Sequence, residues 1–154
     1  THTRTHPHLT QLSPLQQQEE IQGSRQDLLA LNVGPALTFA YPFGDYDGTT
    51  IQLVQDADFT SARSTIDGTV IPPDDHYQLS RFSVEVTTTF AQVQQAIDAA
   101  IANREWLILT FHRIENGPEQ YTTSPALFNQ IIEYLVQTSV AVIPISQGIQ
   151  GLLP

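Results

Sequence analysis

The stretch Leu37-Thr38-Phe39-Ala40-Tyr41 is a run of strand-forming residues, which Pro42-Phe43-Gly44 closes and from which Asp47 opens a helix carrying Ile51 and Val54. A short apolar run followed by a turn and then a helix is the unit of a parallel sheet, because a strand covered by helices on both faces has no polar face to alternate with. The same reading extends outward in both directions. Trp106 to Phe111 and Val140 to Ile143 are further continuous runs, expected to be strands buried on both faces, and Pro144 ends the second. Phe82, Val84 and Val86 alternate, as an edge or half-exposed strand does.

Helices fill the intervals. Ser13-Pro14 with Gln16 forms a capping box for a first helix whose apolar face is expected from Ile21, Leu28 and Leu29, and Asn32-Val33-Gly34 stops it. Thr89 with Gln92 caps the cleanest helix, with Phe90, Val93, Ile97, Ala100 and Ile101 at the helical period. Ser124-Pro125 opens a last one, with Leu127, Phe128, Ile131, Ile132, Leu135 and Val136 expected along one buried stripe. The segment from Ile66 to Tyr77, with Pro72-Pro73-Asp74-Asp75, reads as a surface excursion. Strands alternating with helices predict one α/β domain.

Composition narrows the function. The 154 residues are 40% hydrophobic and only 14% charged, enough for a core and too broken up for a membrane span. Sixteen acidic residues face six basic ones, all arginine, for a net charge of -10, which repels phosphate backbones and argues against nucleic acid and anionic lipid as partners. Cysteine is absent, which excludes disulfides, thiol catalysis and cysteine-held metal.

In parallel α/β folds the chemistry collects at the carboxyl ends of the strands. Three clusters fall there: His2, His6 and His8 ahead of the first helix, Tyr41 to Asp45 after the first strand, and His112 after the run ending at Phe111. His2 and His6, four apart, can share one metal if the backbone is helical or tightly turned. By themselves the histidines also suit a solvated terminus and a strand-end core residue. Asp45 and Asp47 suit a turn and a helix cap better than they suit ligands.

Taken together, His2-Thr3-Arg4-Thr5-His6-Pro7, Phe39-Ala40-Tyr41-Pro42-Phe43-Gly44 and Leu107-Ile108-Leu109-Thr110-Phe111-His112, in that order, resemble the motifs of the polysaccharide deacetylase family, also called the NodB-homology domain or carbohydrate esterase family 4. The resemblance implies an incomplete distorted (β/α) barrel over residues 1–154. It implies a divalent metal, most often Zn, on His2 and His6, an oxyanion held by the Phe43 N–H, and His112 as general acid. The reaction implied is removal of N-acetyl groups from a glycan such as chitin, peptidoglycan or poly-N-acetylglucosamine. That substrate places the protein outside the cell, in the periplasm or in the envelope. The family's Asp-Asp motif, which supplies the base and a third metal ligand, has no counterpart here, so the chain is expected to be truncated at its amino end and its activity alone to be small. Ala40 stands where many members carry arginine, and Glu85 and Asp67 are the candidates to orient His112. The alternative is an inactive carbohydrate-binding or cell-wall module that keeps the fold.

Overall fold

The computed structural model describes residues 1–70 and 75–152. Pro72, Pro73 and Asp74 of the expected surface excursion lie outside the described residues. The chain forms two compact units, one of Thr1–Ile66, Pro72–Ser80 and Pro144–Pro154, the other of Asp67–Ile71 and Arg81–Ile143. Strands and helices alternate: α1 (Pro14–Ala30), β1 (Thr38–Ala40), α2 (Gly48–Asp56), β2 (Ser61–Asp67), β3 (Leu79–Ser83), α3 (Phe90–Asn103) and β4 (Leu109–Thr110), with β1 to β4 hydrogen-bonded in sequence order. After them come β5 (Arg113–Ile114), β6 (Thr122–Thr123), α4 (Pro125–Thr138) and α5 (Ile145–Leu152).

In the first unit β1 and β2 run parallel, with Phe39 opposite Ala62 and Ala40 opposite Arg63. Their inward side chains join Leu9, Ile21, Tyr41, Val54, Ala57 and Phe59 in one core. Helix α1 begins at the predicted capping box, with the Ser13 side chain accepting from the Gln16 N–H and the Gln16 side chain returning to the Ser13 N–H. It ends at Ala30, just ahead of the predicted stop, where the left-handed φ of 56° at Asn32 lets the Val33 N–H reach the Leu28 carbonyl at 2.9 Å. Its buried face differs from the expectation. Ile21 is buried, but Leu29 is 41% exposed, and Gln17 and Ser24 take inside places instead. Both are satisfied there: Gln17 accepts from the Thr50 hydroxyl at 2.8 Å, and Ser24 donates to the Ile21 carbonyl. Burial of a polar side chain is tolerated when its bonds are made, and hydropathy patterning is blind to that.

Strand β2 is a second departure. Ser61-Ala62-Arg63-Ser64-Thr65-Ile66-Asp67 has no apolar run, yet Ser61, Ala62 and Ser64 are buried. Ser64 earns its place by donating to the Leu79 carbonyl and accepting from the Ile66 N–H.

In the second unit the end of β3 runs parallel to β4, with Phe82 opposite Leu109 and Ser83 opposite Thr110. Val84, Val93, Ile97 and Ile131 form its core, and Leu127 and Leu135 pack on it half-buried. Helices α3 and α4 start at their predicted caps, Thr89 and Ser124. The full stripe expected on α4 is not buried: Ile132 is 43% and Val136 73% exposed, and on α3 Ile101 is exposed too. The run Val140 to Ile143 forms no strand; Ser139 ends α4 in a left-handed turn, and Val142 beyond it lies 73% exposed. An apolar run becomes a strand only where a partner strand takes its backbone bonds, and among the described residues none does.

Candidate functional site

The amino-terminal segment lies against β1. The Ala40 N–H donates to the Thr1 carbonyl at 3.0 Å, and His2 Nδ1 stands 2.6 Å from the Ala40 carbonyl oxygen. A carbonyl can only accept, so Nδ1 carries the proton and Nε2 is left with its lone pair outward. That lone pair faces His6 Nε2 at 3.0 Å, with the ring centroids 4.7 Å apart. Partial loss of solvation pushes the His2 imidazole below its ordinary value; the Ala40 bond opposes this, and the positive fields of His6 and Arg63 reinforce it. The ring is thus kept neutral, the form that binds metal.

The histidine spacing works through a tight turn and not through a helix. Thr3 and His6 both have left-handed backbones, at φ 63° and 60°. Such residues cost about 1–3 kcal/mol each and persist only where their surroundings hold them. The Thr3 hydroxyl donates to the His2 carbonyl and accepts from the His6 N–H, which ties the turn to itself.

Phe43 joins the histidines. It follows Pro42 in a 3-10 turn fixed by Gly44 N–H to Tyr41 and Asp45 N–H to Pro42 bonds, both 3.0 Å. Phe43 (φ 57°) and Gly44 (φ 69°) are both left-handed. Glycine is required at the second position, because a Cβ there would lie 2.0 Å from the Thr65 hydroxyl. The Phe43 ring is 56% exposed and meets His6 edge-on at 4.5 Å and His8 face-on at 4.0 Å. His2, His6, Phe43 and His8 therefore form one row of rings. Asp45 secures the far end, accepting from the Thr10 N–H and hydroxyl, with His8 Nδ1 3.7 Å away. Asp47 caps α2 by accepting from the Thr50 N–H. Below the turn, buried Tyr41 donates to the Tyr77 carbonyl.

Of the four site residues expected from sequence, the structure brings His2, His6 and Phe43 together in the first unit. His112 belongs to the second unit, two residues past β4, where it is exposed and its ring lies 4.9 Å from that of Tyr121. Of the two carboxylates considered for orienting it, Asp67 accepts from Arg81 and Glu85 from Gln120. Sequence reading missed the groups that hold the histidine turn from outside. Glu20 accepts from the Arg4 N–H, the Thr5 N–H and the Thr5 hydroxyl, and Asp27 takes the Arg4 guanidinium by two bonds of 2.6 and 2.7 Å. The available signal was the spacing of Glu20 and Asp27, which at seven residues share one face of α1.

The donor set suits a divalent metal in part. Two imidazole nitrogens at about 2.0–2.1 Å from a tetrahedral Zn stand roughly 3.3 Å apart, close to the observed separation. Among the described residues no group of three or more His, Cys, Asp or Glu side chains is gathered as a metal site. None of the described helices is long and apolar enough to cross a membrane.

The histidine pair and the constrained turn at the end of β1 both lie in the part of the chain that is similar to a known family. Residues 1–62 match the family model described as polysaccharide deacetylase. The Streptococcus pyogenes deacetylase PplD, solved with acetate, is 27% identical at a TM-score of 0.56, over 62% of this chain and 42% of its own. A polysaccharide deacetylase from Bacillus cereus is 28% identical at a TM-score of 0.55, over 63% of this chain and 31% of its own. The chain thus spans less than half the length of these two proteins. A family 4 carbohydrate esterase from Streptomyces lividans, also solved with acetate, matches 96% of this chain and 66% of its own at a TM-score of 0.54 and 19% identity, which shows the fold. That fold is the incomplete distorted (β/α) barrel expected from the sequence. No curated protein sequence matches the chain.

Proposed function

We propose that this chain is part of a metal-dependent hydrolase that removes N-acetyl groups from an amino-sugar polysaccharide. The observation that carries the reading is the facing of His2 and His6 Nε2 at 3.0 Å beside the Phe43 turn. His2 and His6 would hold a divalent metal, Zn by the resemblance, which when bound lowers the pKa of water to about 7 and polarises a carbonyl.

The chain's own residues do the rest. The Ala40 carbonyl keeps the His2 proton on Nδ1, so that Nε2 stays a donor of its lone pair. Attack on the acetyl carbonyl by water that gives up a proton to a general base would place negative charge on the carbonyl oxygen. The Phe43 N–H, set between Pro42 and Gly44, is the dipole assigned to that oxyanion; a donor fixed in advance stabilises charge without reorganising. Collapse of the tetrahedral centre breaks the C–N bond, and His112 delivers the proton the departing amine needs. The products are acetate and a free amino sugar. Chitin, peptidoglycan and poly-N-acetylglucosamine share the acetamido group this chemistry requires, and such substrates imply an extracellular, periplasmic or envelope location.

The test is acetate release from an N-acetylglucosamine oligomer by the full-length protein and its His2→Ala, His6→Ala and His112→Ala variants. Loss of activity in all three is the expected result. Unchanged release in all three rejects the proposal, and glycan binding without any release favours an inactive binding module.

A further inference from the structure

The histidine turn is held from outside by one helix face. Residues Arg4 and Thr5, the middle of His2-Thr3-Arg4-Thr5-His6, make five hydrogen bonds to two carboxylates of α1. One Glu20 oxygen accepts both backbone N–H groups, at 2.8 and 2.9 Å, and the other takes the Thr5 hydroxyl at 2.7 Å. Seven residues on, Asp27 grips the guanidinium through Nε and Nη2. Between them Gly23 leaves the space in which the guanidinium lies: a Cβ there would come within 2.4 Å of Arg4 Cζ. Charge-assisted bonds to backbone N–H groups fix φ and ψ, which a surface ion pair between two long side chains does not. Glu20 thus restrains the two residues that separate the left-handed Thr3 from the left-handed His6.

The geometry points to Glu20, supported by Asp27 across Gly23, as a positioning residue that keeps the His2 and His6 Nε2 atoms facing each other and thereby sets their affinity for a divalent metal. The metal part of this inference rests on the proposed function; the positioning part does not. Burial pushes the Glu20 carboxyl up, but the Thr5 and Arg4 bonds together outweigh it and keep its pKa below the ordinary value, as expected of a carboxylate already committed to donors. Neither carboxylate touches the metal nitrogens, so the effect passes through the backbone of the turn. Outer-shell partners of this kind change metal affinity by about 10–100-fold.

The experiment compares the unmodified chain with Glu20→Ala, Glu20→Gln and Ser13→Ala. Ser13→Ala weakens α1 at its cap without touching the turn, and so controls for loss of helix stability. Each protein is titrated with Zn2+ against a chromophoric chelator, and its histidine ring nitrogens are followed by NMR without metal. Glu20→Ala should bind Zn2+ about 10–100-fold more weakly and lose the distinct His2 ring signature. Glu20→Gln, which keeps an acceptor, should fall between, and Ser13→Ala should match the unmodified chain in both readouts. Equal Zn2+ affinity in Glu20→Ala, or equal weakening in Ser13→Ala, overturns the inference. If the unmodified chain binds no Zn2+, the metal reading of the site fails. The positioning claim then stands if Glu20→Ala alone alters the ring signals, and falls if they are unchanged.

Discussion

His2 Nε2 accepts a hydrogen bond from His6 Nε2 at 3.0 Å, because the proton of His2 is engaged at Nδ1 by the Ala40 carbonyl at 2.6 Å. With the His2 proton on Nδ1 and the shared proton on His6 Nε2, the two rings carry different tautomers in the metal-free protein. Under the proposed function Zn2+ would compete for both Nε2 atoms and displace the His6 proton. Nitrogen-15 NMR should find His2 as the Nδ1–H form throughout and His6 converting from Nε2–H to Nδ1–H as Zn2+ is added. A His2 that is Nε2–H without metal contradicts the assigned geometry.

Gly44 and Gly23 both sit against side chains, with opposite consequences. At Gly44 an added Cβ meets Thr65 within 2.0 Å of Oγ1 and 2.8 Å of Cβ, at a φ of +69°. Gly44→Ala should destabilise the protein by more than about 2 kcal/mol, since a clash with a strand residue adds to the cost of the left-handed backbone. At Gly23 the obstacle is the end of the flexible Arg4 side chain. Gly23→Ala should change stability by less than about 1 kcal/mol, because the gain in helix propensity offsets the displaced guanidinium. Thermal melting of the two variants distinguishes the cases.

The capping boxes give a third expectation. Ser13→Ala and Thr89→Ala each remove an acceptor for a backbone N–H that has no helical partner. Each should cost about 0.5–2 kcal/mol, whereas glycine at the same positions should cost only a few tenths. Urea denaturation followed by circular dichroism measures both.

Acid should weaken the first unit through its caps. The Thr50 N–H bond, reinforced by the Thr50 hydroxyl and the Thr49 N–H against slight burial, holds Asp47 below the ordinary carboxyl range, and the Arg4 guanidinium does the same for Asp27. A carboxyl whose folded pKa is lowered stabilises the fold fully above its unfolded value, near pH 4. The contribution disappears as pH falls through the lower folded value. The urea midpoint should therefore hold above about pH 4 and drop as pH falls below it, and the drop should be smaller in Asp47→Asn. An identical drop in that variant removes Asp47 from the explanation.

The sequence by itself determined the helix starts, because Ser13, Asp47, Thr89 and Ser124 cap through bonds that span only three residues. It likewise determined the Phe39 to Gly44 strand and turn, and its motifs singled out His2, His6, Phe43 and His112 as the residues of the proposed site. Contacts of that range are written in neighbouring residues, and a motif preserves them. Only the tertiary structure decided that polar Ser61 to Asp67 is a strand, that Gln17 lies inside, and that Val140 to Ile143 pairs with nothing among the described residues. Those outcomes depend on which distant groups take the hydrogen bonds, Leu79 for Ser64 and Thr50 for Gln17. The histidine pair combines both kinds of information. Its spacing is local, but the tautomer of His2 is set by Ala40, 38 residues away, and the turn between the rings by Glu20, 15 and 16 residues away. Burial and hydrogen bonding between remote segments are properties of the packed chain, which no local pattern records.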